Sequence, residues 1–235
     1  MYPAERDICK SGRRKQAFLS VLDLKGRRTD MAAEKTNFND SITKDNLMRA
    51  FAGESQARNR YTFAAAVAEK KELHVISAVF AFTAAQEKEH AEIFYHHLKE
   101  LAGENILVDG CYPVDISEDV NELLDRARHN EYEEHDSVYK AFGMKAEEEG
   151  FREIAASFLK IAEIEKIHGD RFGRYAELMR QGKLFVSEAE EEWMCLNCGY
   201  IYKGKSAPSS CPVCHHNRGY FIRLEFTDMR KIACY

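Results

Sequence analysis

Between Ile154 and Met179 an ionisable pair falls on the apolar seam of a helix. Read at helical period, IAASFLKIAEIEKIHGDRFGRYAELM turns Ile154, Phe158, Ile161, Glu165, His168, Phe172, Tyr175 and Met179 inward. Steps of four, three and four residues form the stripe that a bundle helix presents to its neighbours. Glu165 and His168 sit on it. An ionised carboxylate in such a core costs several kcal/mol unless something pairs it. A lone Glu-x-x-His arises often by chance, but one in phase with the core needs a counter-charge.

A second copy supplies part of the answer. In VISAVFAFTAAQEKEHAEIFYHHLKEL the seam reads Ile76, Phe80, Thr83, Glu87, His90, Phe94, His97 and Leu101. Two further helices carry seam carboxylates, one through Leu47, Phe51, Glu54, Tyr61, Ala65 and Ala68, the other through Val120, Leu124, Ala127, Glu131, Glu134, Val138 and Ala141. A Glu from each of two helices and a Glu-x-x-His from each of two others is the ferritin-like di-iron or di-manganese pattern. Five carboxylates against two ferrous ions, or against two ferric ions with a bridging oxide, leave a similar small charge, so a two-electron cycle changes the desolvation cost little. Carboxylate and imidazole donors suit iron or manganese; zinc would make the module purely structural. Glu134, one turn beyond Glu131, reads as a spare ligand that moves with oxidation state, or as a nearby non-ligand. Glu133 and His135 are expected to face out. Tyr61 and Tyr139 either hold a ligand carboxylate or bound oxygen species by a hydrogen bond, or are buried tyrosines with satisfied hydroxyls.

The net charge of -5 over 235 residues gives no reason to expect nucleic acid or an anionic membrane as partner. No apolar run approaches the 18 or so residues of a membrane span. Seven cysteines are few for a disulfide scaffold. Cys195, Cys198, Cys211 and Cys214 form two C-x-x-C knuckles, a metal-site spacing that fits structural zinc or a single redox iron. Cys9, Cys111 and Cys234 show no pairing logic, and free thiols favour a reducing compartment, hence the cytoplasm. Residues 1–38 form a leader, basic around Arg13 to Lys15 and at Arg27 and Arg28, expected to be disordered or vestigial. Organellar targeting is the alternative, although Glu5, Asp7, Asp23 and Asp30 are unusual in a transit peptide.

A ferritin-like four-helix bundle is expected over 39–182, with the first helix from Thr43 to Lys70 and the second ending near Leu101. The segment 102–116 then crosses the bundle: a 28-residue helix is about 42 Å long, and fifteen extended residues reach about 50 Å. The third helix, capped at Ser117, is expected to run to Glu149, and the fourth from Phe151 to Gly182. Residues 183–192 read as a linker, 193–226 as a second module and 227–235 as a tail.

CLNCGYIYKG with CPVC, a tyrosine after the first knuckle and a proline inside the second, resembles a rubredoxin-type iron module; by spacing alone a zinc ribbon stays open. Joined to a ferritin-like bundle, it makes residues 40–226 resemble the rubrerythrin family. The motifs are GESQAR around Glu54, EKEH at 87–90, NEYEEHDSVY at 130–139, EKIH at 165–168 and the four cysteines. The resemblance implies di-iron ligands at Glu54, Glu87, Glu131, Glu134, Glu165 and His168, a redox-dependent ligand at His90, and active-site tyrosines at Tyr61 and Tyr139. His215 and His216 depart from the glycine expected after the second knuckle. The implied activity is a non-haem di-iron peroxidase that reduces hydrogen peroxide to water in oxidative-stress defence; a ferroxidase or iron-handling role competes with it. Electrons would be relayed through the four-cysteine iron from rubredoxin, ferredoxin or an NAD(P)H-dependent reductase. A homodimer is implied, with one chain's four-cysteine iron beside its partner's di-iron site. With no G-x-G-x-x-G fingerprint, NADH is not expected to bind this chain.

Overall fold

The computed structural model describes residues 36–227. The expectations for the leader therefore lie outside the described residues up to 35, and those for the tail from 228 onward. Five helices form the bundle: α1 (Ile42–Lys70), α2 (His74–His97), α3 (Val120–Glu133), α4 (Tyr139–Glu148) and α5 (Arg152–Arg180), with a π-turn at Glu134–Val138 joining α3 to α4. Ser41 Oγ caps α1 by accepting from Lys44 N at 3.1 Å. Asp119, rather than the expected Ser117, caps α3 through Asn121 N and Glu122 N, while the Ser117 hydroxyl donates to Glu122. Gly150 at φ +88° supplies the left-handed stop after α4.

Two apolar clusters fix the helix directions. One gathers the C-terminal half of α1, the start of α2, the start of α3 and the end of α5 around Ile76, Phe80, Leu124 and Phe172. The other gathers the start of α1, the end of α2, α4 and the start of α5 around Leu47, Phe94, Tyr139 and Phe158. Hence α2 and the α3–α4 rod run parallel, and residues 102–119 cross from one end of the bundle to the other, as ferritin-like connectivity requires. Ion pairs pin the crossover: Arg49 to Asp109 at 2.7 Å and Arg60 to Asp115 at 2.7 Å.

The third rod departs from its expected phase. Tyr139 N donates to Glu134 O, a span of five residues that admits one extra residue into the turn. Downstream burial shifts accordingly: Ala141, expected inward, is exposed, while Gly143 and Ala146 are buried. His135, expected outward, is also buried, and its Nδ1 contacts Ala162 O at 2.7 Å.

The expected linker is largely strand. β1 (Val186–Cys195) carries the acidic run and sits between β2 (Ile201–Ser206) and β3 (Phe221–Arg223) in an antiparallel sheet, pairing Trp193 with Tyr202 and Arg223. The sheet module docks on the α1–α2 turn, where Tyr220 stacks on His74 with ring centroids 3.9 Å apart. Cys111 is disulfide-bonded, which removes it from the argument for a reducing compartment. Among the described residues no helix is long and apolar enough to cross a membrane.

Candidate metal centre

Between the two apolar clusters lies a layer of buried ionisable side chains. Glu54 comes from α1, Glu87 and His90 from α2, Glu131 from α3, and Glu165 and His168 from α5. Glu-x-x-His sets its two side chains on one helix face, one turn apart, and the flanking Phe80 and Phe94 on α2, with Phe158 and Phe172 on α5, stand one heptad away on either side. The donor atoms fall into two groups of four, each within 4.8 Å: Glu54, Glu87, His90 and Glu165, and then Glu87, Glu131, Glu165 and His168. Glu87 and Glu165 belong to both. That sharing is the arrangement two adjacent cations need, with two carboxylates between them and a carboxylate and an imidazole at each end.

The charges are compensated in a way that leaves room for cations. Burial pushes Glu87 and Glu165 upward, but the facing imidazoles, His168 first for Glu87 and His90 first for Glu165, outweigh it and hold both below the usual carboxylate range. Burial pushes His90 and His168 downward; the carboxylates Glu165 and Glu87 win there too, and both imidazoles titrate well above their ordinary value. Burial and the charge on Glu87 push Glu131 up to about 8, and burial followed by Glu165 raises Glu54 well above its usual range. Glu54 Oε2 has no hydrogen-bond partner, which is rare for a buried polar atom, and the inner oxygens of Glu87 and Glu165 meet only the two imidazoles, His168 Nδ1 at 3.0 and 2.8 Å and His90 Nδ1 at 2.9 Å. The donor set fits iron or manganese.

Two tyrosines cross between rods to hold the terminal carboxylates. Tyr139 on α4 donates to Glu54 Oε1 at 2.5 Å, and Tyr61 on α1 donates to Glu131 Oε1. Burial, then the adjacent carboxylate, keeps each phenol protonated well past its ordinary range. Glu134 stands apart from both donor groups, half-buried, and lines a cavity beneath the crossover. Glu133 is exposed.

Spacing alone did not reveal Gln86, Thr83 and Arg171 as a set. Gln86 Oε1 accepts from His168 Nε2 at 3.1 Å, turning Nδ1 toward the carboxylates, and Arg171 Nη1 donates to both Gln86 and Thr83. Such outer contacts fix a ligand imidazole's tautomer and orientation. The only signals available in the sequence were Thr83 on the seam and Gln86 beside Glu87.

In the sheet module, Cys195 and Cys214 stand with their Sγ atoms 3.7 Å apart, and Cys198 and Cys211 3.6 Å apart. Both separations are far too long for a disulfide. They match the edge of a tetrahedron with bonds of about 2.3 Å to its centre. The His216 backbone N–H points at Cys214 and draws its thiol down to about 5, toward thiolate.

A sequence model described as rubrerythrin matches residues 45–176, and one described as the rubrerythrin rubredoxin-like domain matches 193–222. Rubrerythrin of Clostridium perfringens is 43% identical over 180 residues, covering 76% of this chain and 92% of that protein. Rubrerythrin of Porphyromonas gingivalis is 43% identical over 192 residues, covering 80% and 94%. Among solved structures, fully reduced, all-ferrous nigerythrin aligns over 89% of this chain and 100% of its own, with a TM-score of 0.53 at 26% identity. Mycobacterium tuberculosis bacterioferritin BfrA, at 21% identity and a TM-score of 0.53, shares the fold. With both sequence models matched in order and both metal-site clusters formed, the chain belongs to the rubrerythrin family, oxidoreductases that combine a di-iron carboxylate site with a four-cysteine rubredoxin-like site.

Proposed function

We propose that this chain is a hydrogen peroxide reductase in which the bundle carries out the chemistry and the sheet module returns the electrons. The observation that carries this reading is the pair of buried donor groups sharing Glu87 and Glu165, joined in one chain to a four-thiolate cluster. Glu54 and His90 complete one iron position, Glu131 and His168 the other, and Cys195, Cys198, Cys211 and Cys214 hold a single iron. When bound, the iron pair supplies two electrons which, with two protons, cleave the O–O bond of hydrogen peroxide to two waters.

The protein's own residues do the rest. Tyr61 and Tyr139 fix the terminal carboxylates and keep a proton on each phenol oxygen beside the reacting position. Phe80 and Phe172 on one side, with Phe94 and Phe158 on the other, exclude bulk water and strengthen every charge interaction within. Glu134, outside the donor groups, would be the carboxylate available to hold iron in place of His90. The bundle domain spans 39–182 and the electron-transfer module 193–226. The working form is a cytoplasmic homodimer, and an external rubredoxin, ferredoxin or NAD(P)H-dependent reductase delivers the electrons.

Stopped-flow reoxidation of the fully reduced, iron-loaded protein tests this. Hydrogen peroxide should oxidise the bundle iron faster than dioxygen does, and Cys195→Ser should abolish turnover with an external reductant while leaving that single oxidation intact. Faster reaction with dioxygen, together with full activity in Cys195→Ser, would instead mark a ferroxidase.

A further inference from the structure

Beneath the crossover lies a cavity of about 220 Å³, roofed by Gly110, Cys111, Tyr112 and Pro113 and floored by α1 and the π-turn. Its roof is fastened: Tyr112 Oη donates to Arg49 O at 2.9 Å, and Asp115 is held by Arg60 and by Asn130, each at 2.7 Å. Its lining mixes apolar Ala50, Gly53, Val138 and Phe142 with polar Arg49, Asn130, Glu133 and Glu134. Tyr139, which also lines it, carries the hydroxyl that reaches Glu54 in the metal centre. Arg60, whose Nη1 donates to Asp115, also lines the cavity.

A water molecule needs only about 10–15 Å³ of such space. The recess opens toward solvent, since Gly110, Cys111 and Pro113 in its roof and Glu133 in its lining are exposed, so a ligand larger than hydrogen peroxide has room to enter. We propose that this cavity is a substrate chamber for small alkyl hydroperoxides, the carbon chain lying against Gly53, Val138 and Phe142 and the O–O group toward Arg60, Tyr139 and Glu134. This rests on the peroxidase reading and extends it to a second substrate class. The hydroperoxide ROOH takes two electrons from the reduced iron pair and two protons, its O–O bond breaks, and ROH and water leave.

Gly53 is the specificity-determining position. A Cβ placed there would meet Tyr112 Cε1 at 3.5 Å, an ordinary contact, so alanine fits, while leucine projects into the chamber. The test uses the reduced, iron-loaded full chain mixed with hydrogen peroxide or tert-butyl hydroperoxide in stopped flow. The wild type should react with both. Gly53→Leu should lower the rate constant for tert-butyl hydroperoxide relative to hydrogen peroxide by about tenfold or more, and Gly53→Ala by less, because added methylenes in a pocket discriminate on that scale. Crystals soaked in tert-butanol, the alcohol product, should show it between Gly53 and Val138 in the wild type and not in Gly53→Leu. An unchanged rate ratio in both variants, no wild-type reaction with tert-butyl hydroperoxide, or an empty wild-type chamber in the soak would each overturn the proposal. Failure of the peroxidase reading looks different: hydrogen peroxide itself then fails to oxidise the wild type.

Discussion

At the scale of single residues, some of the strongest contacts lie outside the metal centre. Glu149, at the end of α4, accepts from Thr43 N at 2.9 Å, from Thr43 Oγ1 at 2.7 Å and from Ile42 N at 3.2 Å, so a carboxylate from one rod caps the exposed N–H groups of another. Burial pushes its carboxyl up, but the Thr43 and Ile42 donors outweigh that and hold it below the ordinary range. A depressed carboxylate stabilises the fold fully above its unfolded pKa, about 4.3, and that contribution disappears as pH falls through the lower folded value. Glu149→Gln should therefore cost the metal-free protein about 1–3 kcal/mol at neutral pH. In urea melts the gap from wild type should close as the pH is taken well below 4; a gap that persists in acid would mean the charge is not its source. The tyrosines permit a parallel test. Tyr61→Phe or Tyr139→Phe strands a carboxylate oxygen that already has an unpartnered neighbour, and each should weaken iron retention against a chelator about 10–100-fold.

At the scale of elements, the π-turn is where sequence period and structure part. Tyr61 follows its helix's ligand carboxylate, Glu54, by seven residues, two turns of plain α-helix; Tyr139 follows Glu131 by eight. The wide turn at Glu134–Val138 absorbs the extra residue, so both tyrosines reach the same layer. Deleting exposed Ser137 should restore a regular helix and keep Tyr139, Gly143 and Ala146 buried, leaving the melting temperature within a few degrees of wild type. Glu134 would lose its protruding position, and peroxide turnover should fall on the order of tenfold. A deletion that melts far lower would show that the turn holds the core together. The same turn explains what could be read in advance. The seams of α1, α2 and α5 keep an unbroken period, so Glu54, Glu87, His90, Glu165 and His168 were legible as one buried layer. A strict period carried past Glu134 put Ala141 inward and His135 outward, and the structure reverses both. Nothing in residue spacing announces a five-residue hydrogen bond. The strand hidden in the acidic run was equally obscure, because β1 takes its pairing from partners with no local signal.

At the scale of the molecule, the seat of the module on its own bundle fixes where the four-cysteine site is presented, whether to that bundle or, in the proposed homodimer, to the partner's. Gly219 governs that seat. A Cβ there would fall 1.8 Å from Glu72 O, a backbone atom that cannot swing aside. Glu72 itself is held at φ +58°, a conformation uncommon for a non-glycine residue. Beside it, His74 and Tyr220 stack, and Ile222 joins the bundle's apolar cluster. Gly219→Ala should therefore pry the module away without touching a ligand in either site. Iron content and the visible absorption of the ferric four-thiolate centre should remain as in the wild type, and single oxidation of the reduced bundle by peroxide should also persist. Steady-state turnover with an external reductant should fall, since the electrons would still reach the cysteine-bound iron but pass from it to the bundle more slowly. Rapid reduction of the four-thiolate iron, followed by delayed reduction of the bundle iron, would be the kinetic signature. If instead both iron sites are reduced at the wild-type rate, this contact surface does not govern the relay. The relay would then run through a route that Gly219 does not control.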